Sequence, residues 1–586
     1  MAYIPLKLPP GVYRNGTQYQ SAGRWYDANL VRWYEGTLRP VGGWVKRQYF
    51  NSSYFDIQLV GPPRGSHAWR ANNTKAWLGA GTYKKLYGIE ANAAPYDITP
   101  IRASGSLSSA FATTSGSKTV TVTHNSHGLT TGDFATFSSG TAIGSSGITL
   151  AGGYTVTVIN SNSYSVQAAG NAATTETAAG SANYAYEIPV GRADGTSQLG
   201  YGVWAYGLGA YGTPRPQNAA GGVQAASVWT LDNWGEYLLA CRSDEGKIYE
   251  WQLNTASRAA LLTNAPTGNA AILVTPERFV FALGAGGNPR KVQWCDQEDN
   301  TDWTPAATNQ AGDFELTTPG QIVCGERTRY GSLILTTTDA HLATYQGPPF
   351  VYGFERVGSN CGVISPQASV SFDNGAVWMG AGGFFFFDGT VKPLACEVSD
   401  YIWSDFNFGQ QAKVAAVVNA DYFEVWWFYP SAGSSENDRY VIWNYRENTW
   451  NIGTLARTSG VPVGAFANPI FFDLSGYVYD HESGFNYDAA TPYAETGPIE
   501  IGVGDRIVVA RQVLPDERIQ GQVRMRFKSR FAPEGTETTH GPYTISAQYT
   551  DVRFSGRQVS FRVEGAQLGD WRVGNFRLDA VEGSRR

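Results

Sequence analysis

Trp229-Thr230-Leu231-Asp232-Asn233-Trp234-Gly235-Glu236-Tyr237-Leu238-Leu239, followed by Asp244-Glu245-Gly246-Lys247-Ile248-Tyr249-Glu250-Trp251, reads as strand, turn and strand again. Aromatic and β-branched residues fill the strands, and Asp, Asn and Gly punctuate them. The same grammar recurs at 278–283 with 286–294, 332–337 with 340–345, 376–379 with 383–389, 423–428 with 439–444, and 469–472 with 476–479. Upstream, 76–79 goes with 85–88. Registered on their second strands, Ile248, Val292, Leu342, Phe385, Val441 and Val478 stand 44, 50, 43, 56 and 37 residues apart. Propeller blades repeat at about 40 to 50 residues. A blade alone cannot bury both of its faces, whereas blades stacked radially can. The spacing therefore predicts an all-β chain built on a β-propeller of about six or seven blades. Its main part lies in 190–498, and 1–100 supplies an N-terminal β segment and the first hairpins. An irregular pair of sandwiches is the alternative.

Composition points the same way. The chain has 586 residues, of which 68 are Gly, 13% are aromatic and only 16% are charged. Few charges with many aromatics argue against disorder, and glycine with few helix formers argues for strands. A net charge of -6 excludes a chain that grips nucleic acid or anionic membrane by overall basicity. The five cysteines, Cys241, Cys295, Cys324, Cys361 and Cys396, form no CxxC pair and no disulfide framework, and read as small buried hydrophobes in a reducing compartment. The first ten residues lack an apolar signal core, and no run of about 18 apolar residues predicts a membrane span. Synthesis in a cytoplasm is expected.

Two regions differ from the repeats. Residues 101–189 are rich in Ser, Thr, Ala and Gly, with few charges. Thr119-Val120-Thr121-Val122-Thr123 and Tyr154-Thr155-Val156-Thr157-Val158 alternate with the period of half-buried strands, so a small inserted β-sandwich is predicted rather than a linker. Residues 499–586 are expected to form a C-terminal antiparallel β-domain. There Val523, Met525, Phe527 and Phe531 share one face, and Arg524, Arg526, Lys528 and Arg530 share the other. These four basic residues are candidates for a subunit interface with an acidic partner or for a phosphate-facing surface; a solvated face is the third possibility.

Motifs for chemistry are sparse. Gly207-Leu208-Gly209-Ala210-Tyr211-Gly212 matches GxGxxG, but Pro214 and Pro216 forbid the helix that would cradle a phosphate. His124 and His127 are the only close histidine pair, and no acid or cysteine completes a zinc set, so neither metal nor cofactor is expected. No GxSxG elbow or Cys/His grouping marks a nucleophile. Ser371-Phe372-Asp373-Asn374-Gly375-Ala376-Val377-Trp378 resembles the Asp-box turn of sialidase propellers, found once. No carboxylate pair is singled out for glycoside cleavage.

Several segments, taken in order, resemble the tail-hub or tail-nozzle proteins of short-tailed bacteriophages, also called packaged-DNA stabilisation proteins. They are Gly202-Val203-Trp204-Ala205-Tyr206-Gly207, then 229–236, Gly358-Ser359-Asn360-Cys361-Gly362-Val363-Ile364, Phe386-Phe387-Asp388-Gly389-Thr390-Val391 and Val398-Ser399-Asp400-Tyr401-Ile402. The ending Arg557-Gln558-Val559-Ser560-Phe561-Arg562-Val563-Glu564-Gly565, with Trp571-Arg572-Val573-Gly574, continues the series. The resemblance implies a structural virion protein of the tail and no catalysis. It implies a homohexameric ring below the portal and its adaptor ring. That ring would retain packaged double-stranded DNA, pass it during ejection, and anchor fibres, spikes or a distal plug. An acidic conduit would repel phosphate and let DNA slide. The alternative is a propeller-based tail-fibre or glycan-binding protein, possibly a glycosidase.

Overall fold

The computed structural model describes residues 3–197, 223–500 and 506–582, apart from 515, 520, 534, 546 and 547. The GxGxxG stretch 207–212 and the loop 202–207 lie outside the described residues.

The regular structure of the described residues is nearly all strand. Its one α-helix among the described residues is the short Ser399–Ser404. Among the described residues, six four-stranded antiparallel meanders lie within 63–97, 229–261, 271–315, 322–359, 369–394 and 415–454, and a seventh sheet takes three of its strands from 459–481; we call these blades 1 to 7. Ile248, Val292, Leu342, Phe385, Val441 and Val478 all sit on the third strand of their blades. Blade 7 takes its fourth strand, Trp44–Lys46, from the N-terminal region. Such a closing strand joins distant parts of the chain in one hydrogen-bonded sheet.

The chain divides into two compact units. Residues 59–317 hold blades 1 to 3 and the insert; residues 1–58 with 318–586 hold blades 4 to 7 and the C-terminal domain. Within each unit the first strand of a blade lies against the first strand of the next, which is the radial stacking of a β-propeller. In the first unit, Trp69, Trp77, Trp229 and Trp251 share one core across blades 1 and 2. A Cβ on Gly81 would stand 2.4 Å from the Trp229 ring, so only glycine lets that indole lie flat on the strand. The Asp-box-like segment forms the first hairpin of blade 5, with Trp378 fully buried and its indole N–H given to the Cys361 carbonyl at 2.6 Å.

The insert departs from the expected sandwich. Residues 101–187 form one seven-stranded sheet whose central strands are Ile101–Thr113 and Glu176–Glu187. Its outer strand Gly152–Thr155 returns against Ser163–Gln167, so the sheet curls around its own core of Phe111, Val120, Val122, Phe137, Tyr164 and Val166. The stretch 154–158 is broken at the buried Val156 rather than running as one strand. Alternation tells which face a residue takes, not which sheet its strand joins. His127 is buried, accepts the Leu129 N–H at Nδ1 and reaches the Asn160 carbonyl through Nε2 at 2.9 Å; His124 meets the Tyr186 hydroxyl at 2.7 Å. Both histidines flank the exposed turn at Asn125 and Ser126 and are tied to the insert by these bonds.

The C-terminal domain is a sandwich knitted to the N-terminal region. Its strands are β1 (Tyr3–Leu6), β2 (Trp25–Asn29), β3 (Tyr493–Thr496), β4 (Val508–Leu514), β5 (Val523–Arg530), β6 (Thr538–Thr544), β7 (Thr550–Gly556), β8 (Gln558–Gly565) and β9 (Phe576–Glu582). One sheet has the order β1-β9-β4-β7, the other β2-β3-β8-β5-β6. Met525, Phe527, Phe554, Phe561, Phe576 and Leu578 pack between them, with the Phe527 and Phe554 rings stacked at 4.8 Å. The segment 1–100 is therefore not one body: it supplies β1 and β2 to the sandwich, Trp44–Lys46 to blade 7, and blade 1 itself. Likewise β3 places the sandwich boundary before residue 499. These pairings span hundreds of residues, so no local pattern announces them.

All five cysteines are free, four of them buried. Burial pushes the Cys241 thiol up to about 12. No helix among the described residues is long and apolar enough to cross a membrane.

Candidate functional site: the charged face of the C-terminal sandwich

Strand β5 alternates as its sequence dictates. Val523, Met525 and Phe527 are fully buried in the sandwich, and Arg524, Arg526 and Lys528 project from the other face. Two of the eight residues first placed by alternation behave differently at the strand's end. Arg530 is only 7% exposed; its Nε donates to Gln558 Oε1 at 2.7 Å and Nη1 to Gln18 Oε1 at 3.1 Å, so it belongs to the packed edge. Phe531 lies beyond the strand and is half exposed.

The three remaining cations do not stand alone. Neighbouring β8 and β3 bring two carboxylates beneath them. Arg526 Nε donates to Glu564 Oε1 at 3.0 Å, and Arg524 Nε lies 3.8 Å from the same oxygen. Lys528 Nζ donates to Glu495. Arg562 on β8 joins from the side, 3.3 Å from Glu564 Oε2 and 3.9 Å from Glu495 Oε2. The Glu564 side chain is 5% exposed and that of Glu495 11%, while the four cations keep about a third of their surface. A carboxylate this deep is stable only when surrounded by donors.

The network continues towards β2. Arg562 stacks on the Tyr493 ring at 3.4 Å, and the Tyr493 hydroxyl donates to Asp27 Oδ2 at 2.9 Å. Burial, with the Asp27 carboxylate beside it, holds the Tyr493 hydroxyl well above the usual phenol range. Asp27 also receives Arg14 Nη1 at 2.9 Å. Four cations over Glu495 and Glu564 leave an excess of two positive charges. A phosphate reaching this face competes with carboxylates already in place, so each contact is worth less than one to a free arginine. The geometry is a ladder of shared ion pairs that stiffens one sheet and presents a mildly basic, planar surface. Sequence reading placed the cations and missed Glu495 and Glu564. Glu564 stands two residues after Arg562 on the same face of β8, and that i, i+2 alternation of sign was the available signal.

Among the described residues, no group of three or more His, Cys, Asp and Glu could hold a metal ion.

No protein-family model matches the chain, and no curated protein does. Solved structures do match at low likeness. A virginiamycin B lyase from Staphylococcus aureus is 10% identical, with 46% of this chain and 90% of that one covered and a TM-score of 0.28. The phage phi92 endosialidase is 10% identical over 92% of this chain and 75% of that one, with a TM-score of 0.20. A Trypanosoma rangeli sialidase is 8% identical over 94% and 96%, with a TM-score of 0.26. The meanders stacked within each unit themselves establish the propeller class, and matches of this kind transfer no substrate. They do correct one expectation. Structures titled glycoside hydrolase, endosialidase, sialidase and lyase stand among the matches, so the statement that this chain is no enzyme is withdrawn.

Proposed function

We propose that this chain is a structural subunit of a short-tailed phage tail, of the hub or nozzle type. Copies would ring a conduit below the portal and adaptor, retain packaged DNA and pass it during ejection. The ordered segments quoted above support the reading, and one structural observation carries it. The two-stranded ribbon Gln48–Asn51/Ser53–Asp56 bears aromatics on both faces, with Phe50 64%, Tyr54 72% and Phe55 44% exposed. A second projection, the turn joining Asp339–Gly347 to Val351–Ser359, carries Phe350 at 76% exposure. A lone ribbon is marginal in water, and one with apolar side chains on both faces gains stability only when a neighbour covers it. Such a surface suits a subunit of an assembly. Light scattering on the purified 63.5 kDa chain tests it: a ring mass near six copies is expected, and replacing Phe50, Tyr54 and Phe55 by Ser should return it towards one copy. A wild-type chain that stays a monomer at high concentration contradicts the reading.

A second reading, a propeller tail-fibre or glycan-binding protein, is favoured by a hollow of the sandwich lined by Arg511, Arg553 and Asp579 among others. A trimer mass together with sugar binding would select it.

A further inference from the structure

The sheet β1-β9-β4-β7 borders an open hollow of about 750 Å3. That size suits an oligosaccharide or a drug-sized ligand rather than a single small ion. Its lining includes Arg511 and Gln512 on β4, Asp551 and Arg553 on β7, and Asp579 on β9.

Three features set this hollow apart from an ordinary sheet surface. First, Arg511 occupies a β-bulge: the pairings of β4 with both β7 and β9 shift between Ala510 and Gln512, leaving Arg511 without a partner in either ladder. Bulges re-aim side chains and are over-represented beside binding sites. Second, Arg511 and Arg553 are both exposed on adjacent strands, and among the described residues neither has a carboxylate within ion-pair distance. Two like charges on neighbouring strands oppose folding unless an anion joins them. The sister sheet solves the same problem with Glu495 and Glu564; this one leaves it open. Third, Asp579 is 2% exposed, and its Oδ1 is buried with no hydrogen-bond partner among the described residues. An orphaned carboxylate oxygen costs stability until a donor reaches it. Asp551 is already engaged, accepting from Gln512 Nε2 at 2.9 Å.

We propose that this hollow is a binding site for an acidic oligosaccharide. Arg511 and Arg553 clamp the sugar carboxylate, and Asp579 at the hollow's wall accepts from its hydroxyls. Charged donors and acceptors set in a lining that also exposes Val509 suit a sugar, which offers hydroxyls and an apolar ring face. A phosphodiester run is disfavoured, because Asp551 and Asp579 repel a continuous polyanion. The inference deepens the second reading above, and it survives or fails independently of ring mass.

The test is isothermal titration of the full chain at low salt with hexagalacturonate, α2,8-linked trisialic acid, maltohexaose and inorganic phosphate, with mass measured on the same samples. At least one acidic oligosaccharide is expected to bind below millimolar concentration, with maltohexaose at least about tenfold weaker. The exposed pair R511Q/R553Q should fold normally by circular dichroism and lose about tenfold or more in affinity for the acidic ligand, as expected for one charge-assisted contact. D579N should weaken binding about threefold or more. The proposal is overturned if neither acidic oligosaccharide binds at millimolar concentration, if R511Q/R553Q binds as wild type does, or if phosphate alone binds as tightly as the oligosaccharides.

Discussion

Two β-domains accompany the blades, and they are attached in opposite ways. The insert enters and leaves its unit through neighbouring strands, Ile101–Thr113 and Glu176–Glu187, which pair with each other along their length. Its hydrophobic core is its own. It meets blade 1 through an ionic knot, in which the buried Glu187 takes Lys85 Nζ at 2.8 Å and Asp97 takes both Lys85 and Arg258, and through the Phe134 ring beneath Lys85. The C-terminal sandwich has no such independence. Each of its sheets is edged by a strand from the N-terminal end of the chain, and its core runs without a break into blades 4, 5 and 6. An insertion whose ends meet adds little loop-closure cost and can be removed; a domain built from chain ends separated by nearly 500 residues can form only with everything between them.

The largest expected effect follows from that difference. Deleting residues 3–29 removes β1 and β2, exposes an edge in each sheet, and strips Val12, Trp25 and Ala28 from the shared core. We expect the cooperative transition of that unit to disappear in thermal unfolding and limited proteolysis to degrade blades 4 to 7. Survival of the transition would make the sandwich as separable as the insert.

A single side chain should reproduce part of this. Arg32, 2% exposed, is held bidentately by Glu424 at 2.9 Å through Nε and Nη2, and Nη1 donates to Glu482 at 2.9 Å. It thereby ties the N-terminal hairpin Val31–Tyr34/Thr37–Pro40 to blade 6 and to the segment after blade 7. Arg32→Ala leaves two buried carboxylates without their cation and should cost about 3–5 kcal/mol in denaturant unfolding.

A smaller effect sharpens the account of the sandwich. The Glu517 carboxyl, in the connection between β4 and β5, is pushed up to about 7 from the ordinary 4.5 by burial, against a weaker pull from the Gly521 N–H. The folded state therefore holds a proton that the unfolded chain releases near pH 4.5. That stabilisation is complete below pH 4.5 and is lost as pH rises through 7. Allowing for solvent screening, stability should fall by about 1–2 kcal/mol between pH 5 and pH 8, and Glu517→Gln should flatten the fall. A profile unchanged by the substitution would place the titration elsewhere.

The smallest effect is expected from excising 101–187 and joining its ends with a short Gly/Ser bridge. The main transition should move by no more than the loss of the Glu187 and Phe134 contacts, and Lys85 should remain paired with Asp97. Loss of that transition would erase the contrast with the sandwich.

These differences also mark what was legible in the sequence. The blade repeat was readable because each hairpin is local and its strands alternate; six residues chosen as register marks all fall on third strands. The cations of β5 were readable for the same reason. The roles of β1 and β2 were not, since Tyr3-Ile4-Pro5-Leu6 carries no pattern that predicts pairing with β9, and Ile4 faces Leu578 only in the folded chain. Nor was the bulge at Arg511, which depends on two neighbouring strands at once.

Electron cryomicroscopy of the purified chain tests the central claim most directly. The account predicts closed ring-shaped particles of several copies, each a propeller with an appended sandwich, with the 48–56 ribbon seated against a neighbour. Single isolated subunits with that ribbon bare in solution would contradict it.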